Sequence, residues 1–443
     1  MKKQVLSALA FCSALGIAQA QTDVTKEYLV NPSFETLKAA DGTTDVAVKT
    51  KLESGLYGWD VAKMGANNSN YQVESEESGS STGFPADGSG KIKPTEGTYY
   101  YFNRQGWGNK DSELKTTTSK ELPAGTYYAV IDYKAADYSN NNNANNNGTT
   151  IGIKVNDAAS NLLGENPAVR RAYSIANNGS NPGNDAYMVN AAWNELGTMF
   201  TVTEPTTVTI SLVQNMRNNG RSDIAWDNLR LYQIENVSEN KPMDVSGLIT
   251  TSNYYALGGW NIEGGNTFEV NTWSTEGEKD GSGMTTPFIE DHVGKENKAA
   301  NATISHTVSH LIPGIYEVSG LIRVLNEAAG GDTPSGATLY ANEGSTNACN
   351  GNPCTNGVYG TYTVKGTVGT DGVLTFGIKV ANANFNWVSF KNFKLQYLGA
   401  ASIEQLQATL KEKIEKAKAY VENCPKGIAA IVNGAITQGN KGQ

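Results

Sequence analysis

Two stretches bracket the first half of the chain. Residues 28–35 read YLVNPSFE and residues 224–233 read IAWDNLRLYQ. The first passes from Tyr28, Leu29 and Val30 through the turn residues Asn31, Pro32 and Ser33 to Phe34 and Glu35, the pattern of a strand entering a polar turn. In the second, Ile224, Trp226, Leu229 and Leu231 flank an Asp-Asn pair on a strand-like run. Their separation of about 200 residues is a size that one all-β domain takes. YLVNPSFE is therefore expected to open such a domain and IAWDNLRLYQ to close it, with residues 21–27 as a polar leader.

Between them the strand signals alternate with turn chemistry. A Gly-Trp turn at Gly58 and Trp59 leads into a strand, and its indole is read as a core anchor, since large aromatics dominate burial. Residues 97–102, GTYYYF, form a strand on which Tyr99 and Tyr101 share one face and Tyr100 and Phe102 the other. Pro123 and Gly125 turn the chain into a strand over 127–133. Further strands are expected at 150–155, 197–202 and 207–213. Residues 140–148 hold seven Asn, too polar to bury a core, and read as a solvated loop.

The same marks then recur in the same order. Gly259 and Trp260 echo Gly58 and Trp59. LIPGIYEV at 311–318 echoes LPAGTYYA at 122–129. WVSFKNFKL at 387–395 echoes the closing strand. Strand-like runs at 303–308, 316–325, 358–364 and 373–380 fill the interval. The chain thus divides into a first β-sandwich over 21–236, a linker over 237–244, a second sandwich over 245–399 and a helical tail over 400–443. In that tail Ile403, Leu406, Leu410, Ile414, Ala417 and Val421 form one stripe, Ser402 to Gln405 fits a capping box, and a second short helix is expected over 426–436.

Residues 1–20 are set apart. Lys2 and Lys3 precede an apolar run of 13 residues and the small exit Ala18-Gln19-Ala20, the signature of a secretory signal peptide cleaved after Ala20. A membrane span needs about 20 apolar residues. Export implies a secreted, periplasmic or cell-surface location. Loss of the two lysines leaves 33 basic against 44 acidic residues, a net of −11. That balance disfavours nucleic acid and anionic membrane surfaces as partners. Cys349 and Cys354 flank a short turn and are expected to form a disulfide, which export permits; Cys424 is left over.

Nothing in the sequence spells a reaction. The three His, at 292, 306 and 310, all fall in the second module, without a His-Glu-x-x-His pair or a phosphate-cradling loop. The acid pairs Glu76-Glu77 and Glu290-Asp291 are expected in polar loops, and spacing alone does not make them glycosidase carboxylates. The chain is expected not to be an enzyme.

The NPSFE opening, the Gly-Trp turn, LPAGTYY and the closing WDNLRLY resemble the galactose-binding-domain-like β-sandwiches, which include carbohydrate-binding modules of secreted Bacteroidetes proteins. The resemblance covers 28–233 well and about 245–398 more weakly. It implies an all-β fold of two tandem jelly-roll β-sandwiches followed by a short C-terminal α-helical segment. It also implies a structural calcium between the first and last strands of the first module, carried over by position to Glu35 and Asp227, with Asn31 as a further ligand. In the second module Lys391 takes the place of Asp227, so no calcium is expected there.

Sugar recognition calls for aromatic faces and planar polar groups. The candidates in the first module are Tyr99, Tyr101, Asn103, Arg104, Trp107, Tyr138, Trp193, Arg217 and Arg221; in the second they are Trp273, Tyr340, Tyr359 and Phe385. Two readings follow. One is a secreted, non-catalytic glycan-binding protein, accessory to polysaccharide or host-glycan use. The other is a structural or adhesive surface protein whose modules are spacers and whose helical tail engages a protein partner.

Overall fold

The computed structural model describes residues 20–53, 55–63, 70–76, 92–105, 110–138, 150–156, 187–188, 193–216, 221–249, 260–265, 268–271, 288–328, 333–348, 357–422 and 426–439. The proposed signal peptide up to residue 19 and the Cys349–Cys354 pair lie outside them, as does Cys424.

The first module opens with β1 (Gln21–Asp23) and a single helical turn α1 (Thr25–Tyr28). There follow β2 (Asp60–Lys63), β3 (Asn70–Ser75), β4 (Tyr99–Gln105), β5 (Lys110–Thr117) and β6 (Gly125–Tyr138). The module continues through β7 (Thr150–Val155), β8 (Tyr187–Met188), β9 (Asn194–Val202), β10 (Thr209–Met216) and β11 (Arg221–Ile234). One sheet runs β3-β4-β11-β6, with β8 and β9 both on β6 and β1 on β11; the other runs β2-β5-β10-β7. Every pairing is antiparallel. Period-2 alternation sends Tyr71, Tyr101, Ile131, Tyr133, Ile224 and Trp226 inward against Ile153, Ile210 and Leu212 of the facing sheet.

YLVNPSFE is not the opening strand. Tyr28 ends α1, and residues 29–37 form a sequence of turns, with Asn31 at φ 55° and Phe34 at φ 61°. The supposed leader supplies the true edge strand, Gln21 to Asp23 pairing with Ile234 to Tyr232. The reason lies in Asp23 and Pro32. The Asp23 carboxylate accepts the Thr25 N–H and starts the helical turn, and proline cannot donate to a ladder. The stretch still meets the closing strand, because the Leu229 N–H donates to the Pro32 carbonyl. Phe34 is fully buried and stacks on Trp59 and Tyr101 at 4.8 and 5.6 Å.

The second module repeats the plan. It opens with β12 (Met243–Asp244) and a 3-10 turn over Ser246–Leu248. Its next strands are β13 (Trp260–Gly264), β14 (Glu269–Asn271), β15 (Phe288–His292), β16 (Ala302–Val308) and β17 (Gly314–Leu325). It closes with β18 (Ala337–Ala341), β19 (Gly344–Asn347), β20 (Gly360–Val368), β21 (Leu374–Val380) and β22 (Trp387–Tyr397). The sheets run β14-β15-β22-β17-β20, with β12 on β22, and β13-β16-β21-β18-β19. Since β12 pairs with β22, the end of the expected linker is already part of the second sandwich.

The modules share a continuous core. Tyr128, Val130 and Met199 of the first pack with Val245, Leu248, Ile249 and Tyr316 of the second. A Cβ on Gly247 would come within 2.6 Å of the Tyr128 hydroxyl, so a side chain there would have to push Tyr128 out of this joint. Beyond β22, α2 (Ile403–Val421) begins with the expected capping box at Ser402 and Gln405 and packs on α3 (Lys426–Gly439). Ile403, Tyr420, Ile428 and Ile431 are exposed on this hairpin.

Candidate functional site

The first region of interest is the point where β11 bends. Its register on β6 shifts between Asp227 and Arg230, a β-bulge with Asn228 at φ 54°. The bulge aims Asp227, which is fully buried, at residues 95 and 96. Its Oδ2 accepts the Thr95 N–H at 2.7 Å, the Thr95 hydroxyl at 2.9 Å and the Glu96 N–H at 3.1 Å. Its Oδ1 is buried without a hydrogen-bond partner among the described residues. Burial pushes the Asp227 carboxyl up to about 7, against the pull of those donors.

Glu35 holds the same segment from the other side. Its Oε1 accepts the N–H groups of Thr98 and Tyr99 at 2.9 and 2.8 Å. Gly97 must be glycine here: it has φ 63°, and a Cβ would sit 2.3 Å from the Glu35 carboxyl carbon. Ser33 donates to Glu96. Asn31 does not join this group. Its amide oxygen accepts the Thr36 N–H and its amide nitrogen donates to Thr36 and Tyr57 carbonyls, so the side chain is used up in clamping its own turn. No three His, Cys, Asp or Glu side chains among the described residues gather closely enough to hold a metal ion. Of the expected set, Asp227 fits a hard cation best, through its orphaned oxygen. Thr95 and Glu96 were not legible as its neighbours, because they follow a polar loop with no strand signal.

The sugar candidates separate into three groups. Tyr101 and Asn103 face inward and are corrections to the expected contact set. Tyr101 is 2% exposed. The Asn103 amide donates to Ser112 and Gln214 at 2.7 and 2.8 Å between the sheets. Tyr99 lies beside Glu35, at the start of β4. Trp193 is half-buried against the edge of Tyr100, with its indole N–H on the Lys93 carbonyl at 2.8 Å.

The third group collects at the other end of the sheet. The register places Arg104 beside Asp223, and Arg221 beside Tyr138. Trp107 and Arg217 themselves lie outside the described residues. The strand ends that flank them, Gln105 with Lys110 and Met216 with Arg221, stand at this same end. Arg104 is half-buried, its guanidinium 5.4 Å from the Phe102 ring centroid.

The second module carries an aromatic and polar cluster on the corresponding strands. Arg323 lies over the rings of Tyr359 and Trp387 at 5.3 and 4.8 Å, and His292 stacks on Trp387 at 4.4 Å. Glu290, 2% exposed, accepts the Trp387 indole N–H at 2.8 Å and the Asn271 amide at 2.6 Å. Burial raises its carboxyl, partly offset by these donors. Glu327 pairs with His292 at 2.9 Å and accepts from Asn386 at 2.6 Å. Burial works against its charge, but these bonds prevail and hold its carboxyl below the usual range. Of the four expected aromatics only Tyr359 belongs here. Phe385 is in the core, Tyr340 is on the opposite sheet, and Trp273 is outside the described residues. Trp387 was legible only as the first residue of the echoed closing strand.

Among the described residues no arrangement suggests a nucleophile with its base. His306 is buried against Trp260 and Phe376, and His310 follows the end of β16 with φ 60°. No protein-family model and no curated protein matches the sequence. Solved structures similar to it include TmCBM61 in complex with β-1,4-galactotriose, at 17% identity over 46% of this chain and 97% of that one, TM-score 0.26. The tandem CBM22-1–CBM22-2 domain of Xyn10C from Paenibacillus barcinonensis matches at 10% identity over 87% and 99%, TM-score 0.23. An apo cyclase from Fischerella sp. matches at 15% over 49% and 99%, TM-score 0.28. Identities and scores this low transfer neither a ligand nor an activity.

Proposed function

We propose that this is an exported, non-catalytic glycan-binding protein, accessory to polysaccharide or host-glycan use. The observation that supports it most is the convergence, by strand register alone, of Arg104, Tyr138 and Arg221 with the strand ends that flank Trp107 and Arg217. Arginine forks onto pairs of hydroxyls and an aromatic ring covers the apolar face of a pyranose. Strand ends and loops of a rigid sandwich are where such groups are held in place. A glycan array probed with the full chain tests the reading. Hits that weaken at least tenfold in Arg104→Ala and Arg221→Ala support it, and hits indifferent to both variants remove this site from it.

Calcium in the first module belongs to the same proposal in reduced form. It would take the orphaned Asp227 Oδ1, with Glu35 and main-chain carbonyls as the remaining oxygens. Added calcium is then expected to raise the melting temperature of chelator-treated protein, and Asp227→Ala to abolish the rise.

A further inference from the structure

We infer that the second module carries its own ligand-binding end, the register counterpart of the first, so that the pair grips two points of one polysaccharide chain. This rests on the glycan-binding reading and deepens it. The correspondence is fixed by the bulge in the closing strand. Asp227 pairs with Asp132, and four residues back Asp223 pairs with Arg104 and Ala136. Lys391 pairs with Leu321, and four residues back Trp387 pairs with His292 and Leu325. His292 therefore stands where Arg104 does. Glu327 follows two residues beyond Leu325, just past the end of β17 and at the same end of the sheet.

The side chains at this end suit hydroxyl groups. His292 and Glu327 are 37% and 32% exposed, while Asn386, which orients Glu327 through two hydrogen bonds, is fully buried. The Glu327 carboxylate, fixed from below by Asn386, is hydrogen-bonded through one oxygen to the His292 imidazole at 2.9 Å. That leaves its second oxygen as an acceptor and the other ring nitrogen of His292 as a polar partner for hydroxyl groups. The imidazole lies on Trp387, which sets its plane. An ionised carboxylate here selects for neutral sugars over acidic ones. The two ends are held at a fixed separation because the joint between the modules is a packed core. Fixed spacing of two weak sites favours a polymer by about 10²–10⁴ over a fragment that reaches one site.

The test uses the full chain with xylan, galactan and mannan, and the trisaccharide of each, in titration calorimetry. The expected result is two trisaccharides per chain for the sugar that binds, and a polymer bound at least 10²-fold more tightly. His292→Ala and Glu327→Gln, both at exposed positions, are expected to leave the melting curve in place. Each should lower the trisaccharide stoichiometry to one and remove the polymer advantage. A stoichiometry of one in the wild type, or of two in both variants, overturns the inference while the glycan reading stands. Binding to none of the polymers overturns that reading and the second site with it.

Discussion

The two modules use one backbone plan and differ in the charges placed on it. In both, a tyrosine at the start of the long central strand donates to the carbonyl four residues back, Tyr127 to Pro123 and Tyr316 to Ile312, each at 2.9 Å. In both, the closing strand bulges at an asparagine in the left-handed region, Asn228 at φ 54° and Asn392 at φ 55°. The buried residue just before the bulge is an acid in the first module and Lys391 in the second. At the far end of the sheet, His292 pairs with the closing strand where Arg104 does in the first module. The tyrosine turn and the bulge that shape each sandwich are thus kept while the charges placed beside them differ.

The sharpest test of that separation is at Tyr101. Its counterpart by register is Ile289, a core residue, and Tyr101 is buried on Phe34. Tyr101→Ala is expected to cost about 3–5 kcal/mol, as large aromatic truncations in cores do. Urea denaturation measures it. Glycan affinity of the folded fraction should be unchanged; a fall in affinity at wild-type stability would instead make Tyr101 a ligand contact and break the parallel with Ile289.

Next in size is the exchange of acid for base. Asp227 is held at about 7 by burial, against 3.8 for an ordinary aspartate, so the folded chain keeps a proton that the unfolded chain has released. Its contribution is complete below about pH 3.8 and is lost as pH rises through about 7, a loss on the order of 4 kcal/mol. Burial lowers the Lys391 ammonium instead. Its contribution is complete above 10.5 and is lost as pH falls through the lowered folded value. Melting temperatures of chelator-treated protein from pH 4 to 10 should therefore lose the downward slope between about pH 4 and 7 in Asp227→Asn and the alkaline-range slope in Lys391→Met. Parallel curves for wild type and both variants would contradict the assignment.

The outcome of reading the sequence follows the same division. Strand runs bounded by Gly, Pro and Asn were legible, as were both copies of the closing strand and the capped helix, because each is set by local periodicity and turn chemistry. YLVNPSFE misled because Tyr28, Leu29 and Val30 are apolar for a different reason: Tyr28 and Leu29 pack beneath the sandwich from a helical turn. The face assignment of Tyr99 and Tyr101 followed the pleat, yet both faces are buried, Tyr101 in the main core and Tyr100 with Phe102 in a smaller cluster, which depends on what covers each side of the sheet. The His292–Trp387–Glu327 group was not legible at all. Its members come from the ends of β15 and β22 and from the turn after β17, far apart in sequence, and are brought together by register and side-chain contact.

The smallest expected difference is at the bulge itself. Alanine at Asn228 or Asn392 must take a positive φ, which costs about 1–2 kcal/mol in either module. Glycine removes that strain and leaves only the side chain's own contribution. Asn228 donates to Asp132 Oδ2 at 3.0 Å, whereas the residue facing the second bulge is Leu321, which offers no acceptor. Asn228→Gly is therefore expected to lose about 1 kcal/mol more than Asn392→Gly, the value of one hydrogen bond to a charged partner that keeps its Arg230 contact. Chemical denaturation of the two variants side by side resolves it. Equal losses would mean that the Asn228–Asp132 bond adds nothing and that both asparagines are there for their backbone angle alone.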